Sequence, residues 1–575
     1  MKYIIKHLME NKWIMYGGIA LKIHGAFLDL AIPSVLKNII DAVAPTGDLM
    51  RLIIWGVIMI VLSVSVFALN IIGNRLASHV ARKSTEGIRH ELFAKTIRLS
   101  AKDADHFTVP SLESRITSDT YNIHQFTGMI LRMGIRAPIL LFGGIFITVF
   151  IDPVLTLVMV ALLPIIAISV TFITKKGVPM YTVTQQKLDK MIGVVRENAV
   201  GIRVVKALTK YDYEKRRFES ANKEHVRAEQ NAGMTMSSVN PIMNVILNIG
   251  TTLVVLVGAY RVYNGLMLPG TILSFIQYFS MISMSMLAVT RMFVMYSKAS
   301  ASAKRVSEVI ETPDNILEES EEKFPRSEKE GLHVEFRDVV FSYNGRKNNI
   351  ENISFDLKKG EKLGIIGATG SGKSTLVKLL IRFYDVTSGA IRIDGRDIRT
   401  IPREEFFKKF GIAMQHDFLY ADTVEENIKF GRELSHEDVV RAAKIAQADD
   451  FIQAFPEGYE HMLSQKGTNV SGGQKQRILI SRAVAARPEL LILDDSSSAL
   501  DYKTDANLRR ALAENLTDTT VITVAQRVSS VKNCDVILVL DEGRIIGLGT
   551  HDELMVTCPE YKEISDSQMG GAIVE

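Results

Sequence analysis

The sequence predicts a two-part chain: an all-α domain of six membrane-spanning helices with long cytoplasmic extensions, followed by an α/β domain around a mainly parallel sheet. Three observations predict it. Apolar runs near 13–40, 51–74, 126–150, 153–175, 242–263 and 271–296 approach or exceed the roughly 20 residues that a helix needs to cross ~30 Å of hydrocarbon. Beyond residue 331, short apolar runs (LHVEF, KLGIIG, AIRID, FGIAMQ, LLILD, TTVITV, DVILVL) alternate with helical patterns. A glycine-rich phosphate-binding pattern directly follows one of those runs. The chain therefore divides into a transmembrane domain over 1–300, a charged, Pro-containing linker over 301–330 and the α/β domain over 331–575.

Composition bounds the rest. The 575 residues exceed one domain, and a 47% hydrophobic content with a mean hydropathy of +0.13 excludes collagen-like and disordered classes. Two cysteines, Cys534 and Cys558, are too few for a disulfide framework and fit a reduced cytosolic setting. A net charge of +4 gives no footprint for nucleic acid.

Among the spans, 51–74 and 153–173 are almost free of charge, whereas the first carries Lys22, His24 and Asp29. Segments 75–125 and 174–241 are rich in Lys and Arg, and the links 41–50 and 263–271 contain none. Positive charge accumulates on the cytoplasmic side, so both termini and the α/β domain are expected there. Apolar residues at three- and four-residue spacing in 76–99 and 187–208 extend the helices into the cytosol, with turns expected at 101–110 and near 211–217. Asp29 is costly in lipid, so it either pairs inside the bundle or touches substrate, where it favours a cationic cargo. The methionines of MISMSMLAVTRMFVM suit either a wall for varied apolar ligands or ordinary helix packing.

In the α/β domain, Gly367, Ala368, Thr369, Gly370, Ser371, Gly372, Lys373 and Ser374 form G-x-x-x-x-G-K-S/T between a strand and a helix, with Thr375 next. Glycines let the backbone wrap phosphate oxygens, Lys373 reaches the β- and γ-phosphates, and Ser374 offers its hydroxyl to Mg²⁺. Asp494, ending the strand LLILD, suits the metal-holding acidic role. ATP and Mg²⁺ are the cofactors this pattern predicts. Between these motifs, Ser471, Gly472, Gly473 and Gln474 in NVSGGQKQRILISRA read as a helix start that caps itself or binds an anion.

With that run in place the chain resembles an ATP-binding cassette (ABC) exporter of the half-transporter layout, and the resemblance spans essentially its whole length. It implies that Tyr343 stacks on adenine, that Gln415 is the glutamine linking Mg²⁺ to the transmembrane part, and that Asp501 is the D-loop aspartate. It also implies that two cassettes pack head to tail, with Ser471 to Gln474 completing the partner's ATP site. The pattern is broken twice. Asp495 stands where the family's general base is Glu, and Gln526 stands at the switch-histidine position. A carboxylate one methylene shorter sits ~1.5 Å further back, and an amide carries no proton as imidazole does.

The resemblance thus implies the degenerate-site subunit of a heterodimeric bacterial multidrug exporter, an ATP-driven translocase in the cell (inner or plasma) membrane. Its expected partner is a second half-transporter with the Walker B Glu and the switch His, and its expected cargo is a small lipophilic compound, taken from the cytosol or inner leaflet. The alternatives are a lipid flippase, a peptide or thiol exporter, or a regulatory ATP-binding membrane subunit.

Overall fold

The computed structural model describes residues 1–313, 331–415, 418–496 and 498–570. These divide into two compact units, the first made of Met1–Thr96 and Pro110–Glu311, the second of Ile97–Val109 and Thr312–Glu575.

The first unit contains six helices long and apolar enough to cross a membrane: Lys12–Thr46, Leu49–Arg98, Val109–Ile151, Pro153–Val200, Tyr211–Tyr263 and Pro269–Ile310. Each contains one of the six apolar runs and continues past it. Local chemistry sets their starts. Asp152 accepts the amides of Val154 and Leu155 at 2.9 and 3.1 Å, ahead of Pro153, whose ring presets the first helical φ and whose missing N–H costs nothing there. The other oxygen of the same buried carboxylate holds Arg261 Nε at 2.9 Å. Pro269 opens the last helix, and Asp41 Oδ1 accepts the Gly270 amide from the first hairpin at 2.6 Å. The core centres on Leu30, Leu140, Met159, Tyr278, Phe279 and Ile282. The buried Tyr278 hydroxyl donates to the Leu30 carbonyl at 2.7 Å, which meets its hydrogen-bonding need in an apolar setting. Outward-facing Phe67, Phe142, Phe150 and Phe172 are each about two-thirds exposed or more, a surface suited to hydrocarbon rather than water.

Three expectations change. Residues 301–310 are not linker but the end of the Pro269–Ile310 helix: Ala299, Ala303, Val306 and Val309 keep one face buried while Lys298 and Lys304 lie on others. The charged composition there marks a helix surface. The remainder of the expected linker, 314–330, lies outside the described residues. Residues 101–107 form a short helix, Ala101–Phe107, capped by Ser100, and the segment 97–109 belongs to the second unit. Residues 211–217 are not a turn but the start of the Tyr211–Ser237 helix; the chain reverses just before it, around the short Ile202–Ala207 helix.

The second unit has two sheets. A six-stranded sheet runs β10 (Arg544–Gly549), β9 (Val536–Asp541), β3 (Lys362–Gly367), β8 (Thr520–Val524), β7 (Leu490–Asp494), β6 (Phe410–Ala413), parallel except for the β9–β10 hairpin. The runs LHVEF and AIRID belong instead to a separate antiparallel sheet of β1 (Leu332–Phe341), β2 (Ile350–Lys358), β4 (Ser388–Ile393) and β5 (Arg396–Asp397). The parallel register aligns Asp494 with Val524 across β7 and β8, and Ile365 with Val524 across β3 and β8. The loops after β3, β7 and β8 therefore emerge at one edge, where open parallel sheets bind ligands.

Gly411 in β6 lets the Gly472–Ala485 helix approach closely, because a Cβ there would lie 2.3 Å from the Ala483 carbonyl oxygen. Gly411→Ala is expected to destabilise the second unit by about 1–3 kcal/mol through overpacking, read as a lowered thermal midpoint; an unchanged midpoint would contradict this packing.

Candidate nucleotide site

At that edge, a cleft of about 210 Å³ is lined by Asn349, Thr369, Lys373, Ser374, Thr375, Gln415, Asp494, Asp495 and Gln526 among others. The loop after β3 turns through Gly370 and Gly372 at φ of 87° and 104°, the left-handed region that glycine enters without strain. At Gly372 a Cβ would also press on Ile350 and the Asn349 carbonyl. Lys373 begins the Lys373–Leu380 helix and folds its ammonium back over the loop, donating to the carbonyls of Gly367 and Ala368 at 2.8 Å each. Burial lowers the Lys373 pKa from the usual lysine range, and the carboxylates of Asp495 and Asp494 oppose that pull. The buried Ser371 hydroxyl has no hydrogen-bond partner among the described residues.

Ser374 Oγ donates to Asp494 Oδ1 at 3.3 Å. A hydroxyl and a carboxylate meeting this way, with the Gln415 amide lining the same cleft, are a hard oxygen donor set of the kind Mg²⁺ takes. Thr369, Gly370, Gly372 and Lys373 bring the glycine-rich loop and its cation to the cleft wall, which fits a phosphate chain. Tyr343, 42% exposed, is propped edge-on by Phe341 and Tyr384, and its hydroxyl donates to Thr375 Oγ1 at 3.3 Å.

Asp495 is the hub. Its backbone is left-handed, with φ of 49°, and its Oδ2 accepts the side-chain amides of Gln415 and of Gln526, both at 3.1 Å. Its carbonyl accepts Gln476 Nε2 at 3.2 Å and Ser498 Oγ at 2.9 Å. Gln526 thus spends one of its two amide N–H groups on Asp495.

Ser471 and Gln474 form a reciprocal capping box at the start of the Gly472–Ala485 helix, and Ser471, Gly472, Gly473 and Gln474 all lie outside the cleft lining. Asp501 caps the Tyr502–Asn515 helix through the Thr504 amide at 2.9 Å, and those bonds hold its carboxyl below the usual range. In the first unit, Asp29 carries an ion pair with Arg136 at 2.5 Å, so the internal pairing is present.

Profile models match residues 14–286 as an ABC transporter transmembrane region and residues 350–498 as an ABC transporter. The uncharacterized ABC transporter ATP-binding protein YfiB of Bacillus subtilis is 33% identical over 545 residues, 94% of this chain and 94% of its own length. The chain belongs to the ABC transporter family. Another family member, an uncharacterized ABC transporter ATP-binding protein of Mycobacterium tuberculosis, is 32% identical over 578 residues, covering 99% of this chain and 98% of its own. The structure of a bacterial Atm1-family ABC exporter with ATP bound superposes with a TM-score of 0.82 at 24% identity, covering 96% of this chain and 98% of the other, so the fold is shared. As an ABC transporter the protein is a multi-pass membrane protein whose ATP-binding domain couples ATPase activity to transport.

Several contacts of this ABC transporter escape sequence reasoning. Gln568, near the end of the Pro559–Gly570 helix, donates to the Gln526 carbonyl at 2.9 Å and accepts the Val528 amide at 2.8 Å. From the other side Arg527 lies over the Tyr502 ring at 4.9 Å. The segment that carries Gln526 is therefore held by both flanking helices. Tyr384 donates to Asp105 of the Ala101–Phe107 helix. Burial, then the bond to Asp105, raises the Tyr384 pKa above the usual tyrosine range.

Two outcomes follow from these contacts. Gln568→Ala should speed hydrogen exchange at the Val528 amide roughly tenfold, the worth of one ordinary hydrogen bond; retained protection would contradict the clamp. Burial raises the Asp494 carboxyl above the usual range, with the nearby Asp495 charge adding to the rise. A carboxyl with a higher pKa folded than unfolded destabilises the fold when ionised, and the cost is relieved as pH falls through the folded value. Asp494→Asn should therefore raise the thermal midpoint of nucleotide-free protein at neutral pH, with the gain shrinking under acidic conditions; a lowered midpoint at neutral pH would contradict it.

Proposed function

We propose that this ABC transporter is one subunit of an ATP-driven heterodimeric exporter, located in a bacterial cell membrane with both termini cytoplasmic, that moves lipophilic compounds such as drugs outward. Its own phosphate loop binds Mg-ATP and hydrolyses it poorly. The observation that carries this reading is the Asp495 carboxylate, shortened relative to Glu and bonded to two neutral amides, Gln415 and Gln526.

When bound, Mg²⁺ neutralises charge on the phosphate oxygens and orients them for in-line attack. Ser374, Asp494 and Gln415 are the residues that would hold it. Lys373 neutralises the phosphates, the loop amides from Gly367 to Thr375 cradle them, and the open face of Tyr343 receives the adenine. Water attack needs a base within about 2.6–3.2 Å and a group that stabilises the charge it builds. Asp495 is set back from that position, and Gln526 neither accepts nor relays a proton. Binding survives while hydrolysis falls by the ~10²–10⁴ that general-base help is worth.

Ser471, Gly472, Gly473 and Gln474 carry the signature run in sequence, and Asp501 caps the Tyr502–Asn515 helix. They are suited to complete a competent ATP site on a second half-transporter that carries the Glu and His lacking here. Asp29, neutralised by Arg136, gives little support to the idea of a cationic cargo. Met281 and Met286 pack within the bundle while Met284 is exposed, which supports an adaptable apolar wall.

ATPase turnover in lipid nanodiscs tests the assignment. The chain alone should retain ATP and turn over near background, and co-purification with a half-transporter bearing Glu and His should restore turnover. Asp495→Glu with Gln526→His should raise turnover of the chain alone by at least about 10²-fold. Brisk hydrolysis by the unmodified chain alone would refute the reading.

A further inference from the structure

A second cavity, of about 450 Å³, opens in the ATP-binding unit between the Tyr502–Asn515 helix, strands β7 and β8 and the segment ending at Cys534. It shares no lining residue with the nucleotide cleft and is the larger of the two. Its size falls within the ~300–1,000 Å³ typical of small-molecule sites. Leu493, Leu508, Leu512 and Val521 supply buried apolar wall. The thiol of Cys534, also in the lining, is pushed up to about 12 by burial and then by the charge of Asp535, as expected for a poorly hydrated interior.

The charge around this wall is one-sided. Asp505 is the acidic residue in the lining, and it is spent on Arg509 at 2.9 Å. Lys362, Arg510 and Lys532 also line the cavity, and among the described residues their charged groups have no ion-pair partner. A cavity with one leucine-rich wall and uncommitted cations at its polar margin is complementary to a molecule with an apolar body and one anionic end.

We propose that this cavity is a binding site for an amphipathic organic anion, an alkyl or aryl carboxylate whose body lies against Leu493, Leu508 and Leu512 and whose carboxylate is held by Arg510 and Lys532. A neutral lipophile would leave those cations unanswered, and a polar anion such as free phosphate would leave the leucine wall unfilled. All the cavity's lining residues belong to the second unit, and none lines the nucleotide cleft. Its walls include the helix that Asp501 begins and the segment that follows Gln526, which places the ligand between the two elements that flank the ATP site.

Equilibrium dialysis of the full-length chain in nanodiscs against radiolabelled octanoate tests the proposal, with uptake by empty nanodiscs subtracted. The expected result is one saturable equivalent per chain. Arg510→Glu with Lys532→Glu should weaken it about tenfold or more, the worth of a charge-assisted contact. Ala513→Trp, at an exposed position of the lining, should block it without touching the core, and octan-1-ol should compete poorly. Absence of saturable uptake, unchanged uptake by the charge-reversed chain, or competition by octan-1-ol equal to that of unlabelled octanoate would each overturn the assignment.

Discussion

One carboxylate oxygen, Oδ2 of Asp495, accepts hydrogen bonds from two glutamine amides that arrive from different loops. Gln415 follows β6, Gln526 follows β8, and Asp495 directly follows β7, so the contact ties the ends of three parallel strands together at their carboxyl edge. The backbone carbonyl of the same residue takes Gln476 from the helix that Ser471 caps. Anything that moves Asp495 therefore moves Gln415, Gln526 and the Gly472–Ala485 helix together. The donor at position 526 is a neutral amide, so this lattice is made without a second charged group.

The supporting structure explains why the lattice keeps its shape. Gly411 admits the signature helix, Gln568 pins the backbone on either side of Arg527, and Arg527 stacks on the first residue of the helix capped by Asp501. The ionised Asp494 adds a cost that nucleotide and metal would offset, a trade of resting stability for binding.

The phosphate loop was legible from sequence because glycine spacing, Lys373 and the flanking strand and helix are all local signals. The strand end at Asp494 and the helix start at Ser471 were legible for the same reason, whereas the reciprocal bond from Gln474 that makes a capping box was not read. The six spans were legible because hydrocarbon imposes a length and forbids charge. Long-range pairings were not: Asp29 meets Arg136 across 107 positions, Asp105 meets Tyr384 across 279, and Gln568 reaches back 42 residues to Gln526. No periodicity encodes such contacts. The end of the last long helix was misjudged because Lys298, Lys304 and Glu308 read as linker composition, whereas the small Ala299 and Ala303 on the opposite face carry the packing. The strand Ile350–Lys358 was hidden because IENISFDLK mixes strand-poor Asn and Asp into its alternation.

The central claim is that nucleotide at this chain's own phosphate loop is held and not cleaved. The most direct measurement loads the protein with radiolabelled Mg-ATP, removes free nucleotide rapidly and identifies what stays bound after denaturing quenches at successive times. The account predicts that the label remains ATP long after an Asp495→Glu, Gln526→His chain has converted it to ADP. Conversion to ADP at the same rate in both chains would contradict it.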